Sequence, residues 1–417
     1  MFGSWNTRSR IVADLGSVTT IAHKRETHAR ELGVDPAAVR RVWEVVERLY
    51  RTGLHPAIQL CVRRHGEILL ERSIGHASGN GPADGPEVER RVATPETPFN
   101  IFSASKAVTA MVIHWLDQED KLRLDDPVVE YIPEFAAHGK DKITIRHLLS
   151  HRAGIPSLAP EAMRLETLAD RATLVRVLAD TRPTSTPGRL LAYHALSGGF
   201  VLGEIVWRIT GKDLRTVLEE SILKPLKFRW MRYGVRKRDL DKVAVNYYTG
   251  PPQLPFIAMA LGRALGVSPS EAVTMSNDPR FLTGIVPAGN VVTTANEMSR
   301  FYELLRQGGE LDGKRIFDRR TIRRATTEES YLELDLMIGL PIRYALGFML
   351  GGRWVSLYGP GTEHAYGHLG FTNVVCWADP ARHLTAALMT SGKPLIYPEI
   401  YYVHEILRQV GLACRPE

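Results

Sequence analysis

Residues 99–114 read Phe-Asn-Ile-Phe-Ser-Ala-Ser-Lys-Ala-Val-Thr-Ala-Met-Val-Ile-His, and the spacing Ser103-x-x-Lys106 inside them is the most informative feature of the chain. A serine and a lysine three apart on a helix share one face and come within reach of a direct hydrogen bond. A serine hydroxyl becomes a nucleophile when a base takes its proton, and lysine serves as that base only when neutral. At the ordinary pKa, roughly 0.04% of lysines are neutral at pH 7. Lowering the pKa to about 7 takes roughly 4–5 kcal/mol of differential stabilisation, from burial or neighbouring positive charge. The residues that follow, Ala107, Val108, Ala110, Met111, Val112, Ile113, Trp115 and Leu116, make the helix apolar on nearly every face. Such a helix is expected to be buried. Ser103 is also a candidate helix N-cap. Ser105 competes as a nucleophile, yet has Thr109 rather than lysine one turn later.

Further along, Tyr193-His194-Ala195 follows a turn-rich Thr-Pro-Gly stretch and precedes a helix running to Thr210-Gly211-Lys212. His368-Leu369-Gly370 lies before a strand-like run, Phe371 to Trp377. With the stretch Ile143 to His151, then Gly154-Ile-Pro156, Pro225-Leu226, Pro287 to Thr294 and Tyr344 to Phe348, these blocks occur in a recognisable order. Over roughly residues 36 to 410 the chain resembles the serine β-lactamase-related superfamily: class C β-lactamases, D-Ala-D-Ala carboxypeptidases and family VIII carboxylesterases. The resemblance implies an α+β fold of the β-lactamase/transpeptidase type, an antiparallel sheet flanked by helices plus an all-helical domain, with the active site between them. It implies Ser103 as nucleophile, Lys106 as base and Tyr193 as the proton-shuttling tyrosine of a Y-x-N motif. His368, Gly370 and Phe371 would form the third motif, Gly370 admitting substrate to the strand and the Phe371 and Ser103 N–H groups making an oxyanion hole.

Two departures from the family pattern bear on substrate. Ala195 stands where β-lactamases and carboxypeptidases usually carry the asparagine that binds an acylamide side chain. His368 replaces a lysine, which weakens recognition of a substrate carboxylate at neutral pH. Both favour uncharged esters. The expected activity is a serine carboxylesterase working through an acyl-serine; an acyltransferase of the same fold and a β-lactamase or peptidase are the rival enzymes, and a non-catalytic binding module the remaining class.

Composition is ordinary for a soluble globular protein. The 417 residues are 44% hydrophobic and 24% charged, with a net charge of +7. Charges are interspersed, and the basic segment Arg229 to Lys242 also holds two aspartates, a pattern of a solvated loop rather than a nucleic-acid surface. Three cysteines do not describe a disulfide scaffold and fit a reducing compartment. The stretch Ile11 to Ala22 is too interrupted for a signal peptide, and no run of 18 apolar residues occurs. A cytoplasmic location is expected, with export or peripheral membrane association left open. The partner is a small-molecule ester, and oligomeric state is not legible.

His147 and His151, and His364 and His368, share i,i+4 spacing, but no metalloprotease H-E-x-x-H is present and the second pair straddles Gly367. Neither a metal nor a cofactor is expected. A G-x-S-x-G elbow is also absent, which leaves Ser103 as the nucleophile candidate.

Residues 1–34 read as an extension. Asp35-Pro36 signals a helix start, and Ala57–Arg64 with Glu67–Gly75 a hairpin turning at His65-Gly66. Residues 35–102 and 331–417 together are expected to form the sheet domain, and 103–330 the mainly helical one. Thr294-x-x-Glu297 reads as a capping box. Ala345–Leu350, Trp354–Tyr358, Phe371–Trp377 and Thr385–Thr390 read as strands, and Pro398 to Val410 as a helix ending at Gly411.

Overall fold

The computed structural model describes residues 7–416 except 159–162, 254–258, 260, 261, 264, 372 and 396. Asp35 caps the helix Pro36–Arg51 by accepting the Ala37 N–H, and Pro36 occupies its first turn, as the Asp-Pro pair predicts. Ala57–Arg64 and Glu67–Ser78 form the expected hairpin. Its turn residues His65 and Gly66 both take positive φ, as two-residue hairpin turns require.

These strands belong to a ten-stranded antiparallel sheet. Across it the order is Thr19–Ile21, Glu67–Ser78, Ala57–Arg64, Leu384–Thr390, Val374–Asp379, Tyr366–Gly370, Met349–Leu350, Pro341–Tyr344 and Ser330–Leu334, with Arg91–Val92 paired to Glu67–Ser78. The two ends of the chain therefore meet in mid-sheet, where Ala387 lies opposite Cys61. Period-two alternation sends Val375 and Trp377 toward the helices Pro36–Arg51 and Ile400–Ala413. Val374, Cys376 and Ala378 point the other way, into the core shared with Met298 and Phe301 of the helix Ala295–Arg306 and with the helix Ser105–Gln118. Both faces of the central strands are thus dry.

Several local expectations change. Trp354–Tyr358 is a turn-rich loop, not a strand. The expected strand over Ala345–Leu350 is cut back to Met349–Leu350 because the chain turns at Gly347, φ 99°, where a Cβ would lie 2.1 Å from that of Ala110. His368-Leu369-Gly370 itself lies in a strand, and the strand expected after it runs over Val374–Asp379. At Thr294 only half of the capping box forms: Thr294 Oγ1 accepts the Glu297 N–H, but the Glu297 carboxylate accepts the N–H groups of Arg229, Trp230 and Met231. The last helix passes through Gly411 to Ala413, because Val410 and Ala413 still reach the core. Cys61, Cys376 and Cys414 are buried free thiols. Among the described residues, no helix is long and apolar enough to cross a membrane.

Candidate active site

The site is built where the strand Tyr366–Gly370 ends against the start of the helix Ser105–Gln118. The chain turns sharply at Phe102, φ 48°, and Asn100 Oδ1 holds this turn by accepting the Phe102 N–H at 3.1 Å. One 3-10 turn, Phe102–Ala104, then feeds the helix. Its N-cap position is Ala104, so the Ser103 hydroxyl is not used as a cap. A Cβ on Gly370 would lie 2.0 Å from the Ile101 carbonyl oxygen, so only glycine lets strand and turn approach this closely. Phe371, also at positive φ, lays its ring 5.2 Å from that of Phe102. Ser103 and Phe371 are thereby brought together from residues far apart in sequence.

Lys106 Nζ lies 3.1 Å from Ser103 Oγ, 2.8 Å from the Ala195 carbonyl and 3.3 Å from the Ala288 carbonyl. No carboxylate is among these partners. Burial holds its pKa well below the ordinary lysine value. In the neutral amine, two N–H bonds serve the carbonyls and the lone pair faces the Ser103 hydroxyl. Lys106 Nζ also sits 4.6 Å from the centroid of the Tyr193 ring.

The Tyr193 phenol lies close enough to Ser103 for that residue to act on its titration. Burial raises its pKa, with Ser103 opposing the rise and Asp335 adding to it, so the phenol keeps its proton at neutral pH. His368 lies beyond it, ring centroids 6.3 Å apart. Its Nδ1 donates to the Leu369 carbonyl at 2.7 Å, which leaves Nε2 as an acceptor in the neutral ring. Burial pushes the imidazole down to about 3. The competing serine and the neighbour of Tyr193 are engaged in other packing. Ser105 is fully buried, its Oγ accepting the Val291 N–H at 2.9 Å. The buried His194 ring packs beside Gly198.

Three residues that sequence reasoning missed complete the surroundings. Asp335 is buried: Oδ1 accepts the N–H groups of Tyr193, Met337 and Ile338 at 3.1, 2.9 and 3.0 Å, and Oδ2 the Tyr344 hydroxyl at 3.1 Å. A lone acid in the apolar run Leu334 to Pro341 was the available signal. His151, weighed in sequence only as half of a metal-like pair, holds the other side of Tyr193. Its carbonyl accepts the Ala192 N–H at 3.0 Å and its Nδ1 the His194 N–H at 3.1 Å. The partner of that pair, His147, accepts the Thr144 N–H on Nδ1. Among the described residues no three His, Cys, Asp or Glu side chains form a metal-binding group. Lys393 is buried under Phe102, Nζ 4.9 Å from the ring centroid, and burial lowers its pKa to about 7. No sequence pattern marked it.

A family model described as Beta-lactamase matches residues 45–402. The chain belongs to the beta-lactamase family. It is an enzyme of that hydrolase superfamily, with the β-lactamase/transpeptidase-like fold that the sequence implies. This beta-lactamase-family protein is 28% identical over 334 residues to the esterase/beta-lactamase LipL of Mycobacterium tuberculosis, covering 76% of this chain and 75% of that protein. Among solved structures, a penicillin-binding protein homologue from Caulobacter crescentus matches with TM-score 0.76 at 25% identity, covering 91% of this chain and 98% of that one. A family VIII carboxylesterase matches with TM-score 0.76 at 26% identity, covering 90% and 97%.

Proposed function

We propose that this protein is a carboxylesterase that works through an acyl-enzyme on Ser103. The observation that carries the reading is the buried Lys106 amine, 3.1 Å from Ser103 Oγ and otherwise bonded to carbonyl oxygens. Among the described residues no anion hydrogen-bonds it to stabilise its ammonium form. Lys106 takes the Ser103 proton as Oγ attacks the ester carbonyl carbon. The Ser103 and Phe371 N–H groups stabilise the oxyanion. Collapse of the tetrahedral intermediate breaks the bond to the alkoxide, which leaves as the alcohol with a proton relayed from Lys106 through Tyr193. Water then attacks the acyl-serine, its proton returning through the same pair, and the carboxylic acid departs.

Support for ester over β-lactam or peptide comes from what the site lacks. Ala195 supplies Lys106 with a carbonyl but has no side-chain amide for an acylamide group. His368, held neutral, supplies no cation for a substrate carboxylate. The names esterase/beta-lactamase and family VIII carboxylesterase carried by the relatives agree with this choice. A panel of p-nitrophenyl esters run beside nitrocefin tests it. Turnover of p-nitrophenyl butyrate is expected far to exceed that of nitrocefin, and equal or greater nitrocefin turnover overturns the choice.

A further inference from the structure

The edge of the sheet beside Tyr193 is unusually apolar. Along the strand Ser330–Leu334 and the turn that leads to Pro341–Tyr344, six large side chains face solvent: Tyr331, Leu332, Leu334, Leu336, Ile338 and Leu340, with Tyr331 71% and Leu336 57% exposed. Ser330–Leu334 is the last strand of the sheet, and an exposed edge is ordinarily blunted by charge. Here the acids are engaged elsewhere: Glu333 pairs with Arg152, and Asp335 is buried under the Tyr193 backbone. The stretch presents apolar surface with no free charge of its own.

A second segment extends this surface. The Arg343 guanidinium lies 5.5 Å from the Tyr331 ring centroid and donates to the Gly351 carbonyl at 2.6 Å, tying the hairpin to the loop that follows. In that loop Trp354 and Val355 are 84% and 80% exposed. Arg353 lies 5.2 Å from the Trp354 ring centroid and has no carboxylate partner among the described residues. Arg343 is itself paired with Glu328, so the unpaired positive charge here is that of Arg353. An indole beside that charge, with an exposed phenol next to it, suits the boundary between water and an anionic lipid headgroup layer. The lip is continuous with the site wall, since the Leu336 N–H donates to the Leu191 carbonyl two residues before Tyr193.

We propose that the 331–341 hairpin and the 353–355 loop dock this protein on anionic lipid surfaces, so that its ester is drawn from the lipid layer. The docking stands on the surface itself; the substrate clause rests on the esterase reading. A net charge of +7 favours an anionic membrane and opposes self-association through the same edge.

The test uses the full chain with vesicles of phosphatidylcholine, with and without phosphatidylglycerol, in a flotation assay. Binding to the anionic vesicles is expected, weakened by salt and absent or much weaker on the neutral ones. The double variant Leu340→Ser, Trp354→Ala should lose about tenfold or more of that partitioning. Its melting temperature and its kcat/KM on water-soluble p-nitrophenyl acetate should stay at the wild-type values. No flotation of the wild type, or flotation unchanged in the variant, overturns the proposal. A wild-type dimer in light scattering that the variant abolishes, without vesicle binding, overturns it in favour of a second copy. Flotation without turnover of any ester overturns the esterase reading and leaves the docking standing.

Discussion

The Asp335 carboxylate accepts the backbone N–H of Tyr193 at 3.1 Å, so an acid from the sheet-edge hairpin fixes the residue whose ring lies against the Lys106 amine. Asp335→Ala removes the acceptor of three N–H groups and one hydroxyl at once. Each buried donor left unpaired costs about 1–3 kcal/mol. We expect a stability loss of several kcal/mol in urea titration, and a fall in kcat larger than any rise in KM. A variant with unchanged stability and unchanged kcat would contradict the role.

Ser103→Ala should lower turnover by about 10³–10⁶ fold, as nucleophile deletions do in serine hydrolases. A fluorophosphonate probe followed by intact-mass measurement should label wild type and Ser105→Ala but not Ser103→Ala. Ser105→Ala should instead lose roughly 1 kcal/mol or more of stability, since its Oγ is the acceptor for the buried Val291 N–H. Labelling that survives in Ser103→Ala would remove it as nucleophile.

Tyr193→Phe deletes only the phenolic oxygen and keeps the ring beneath Lys106. A fall of about 10²–10⁴ in kcat is expected for loss of a proton-transfer group. His194→Ala should cost much less activity, because its ring packs by Gly198 and none of the Lys106 hydrogen bonds, including that to Ser103, goes to it. A large loss at His194 with near wild-type rate for Tyr193→Phe would point to a serine–histidine mechanism.

Acid should unfold this protein early. Burial holds His55, His194 and His368 at about 3 and His114 at about 4. These are bases with depressed folded-state values, so below about 6.5 the unfolded chain binds protons that the native one refuses. Stability therefore falls as pH drops from about 6.5, by up to about 2 kcal/mol per group at pH 5. Four such groups weigh heavily against a usual total of about 5–15 kcal/mol. Circular dichroism against pH should show unfolding above pH 4, displaced to lower pH in His114→Gln. Native signal persisting at pH 3 would contradict it. Lys393, lowered to about 7, acts in another window: stability should rise with pH between about 7 and 10.5, and less steeply in Lys393→Met.

Much of this was legible in the chain because the signals are local. The Asp35-Pro36 cap, the His65-Gly66 turn and the helix carrying Lys106 need only neighbouring residues. Reading failed where distant contacts decided. Glu297 left its capping box for three N–H groups near Trp230, and the strand expected over Ala345–Leu350 was shortened where Gly347 meets Ala110. His151 carried a metal-like spacing, yet its ring nitrogen and carbonyl are engaged with the backbone on either side of Tyr193.

By itself the sequence determined which side chains stand on one helical face, and so that Ser103 and Lys106 can meet. Only the tertiary structure decided that Lys106 is an amine with two carbonyl partners, contributed by Ala195 and Ala288, 89 and 182 residues away. The same holds for the neutral His368 and for the apolar edge left uncovered at Leu336. Spacing along a helix is a short-range property of the backbone. Desolvation and exposure sum over every atom that packs nearby, and those atoms come from segments that only the folded chain brings together.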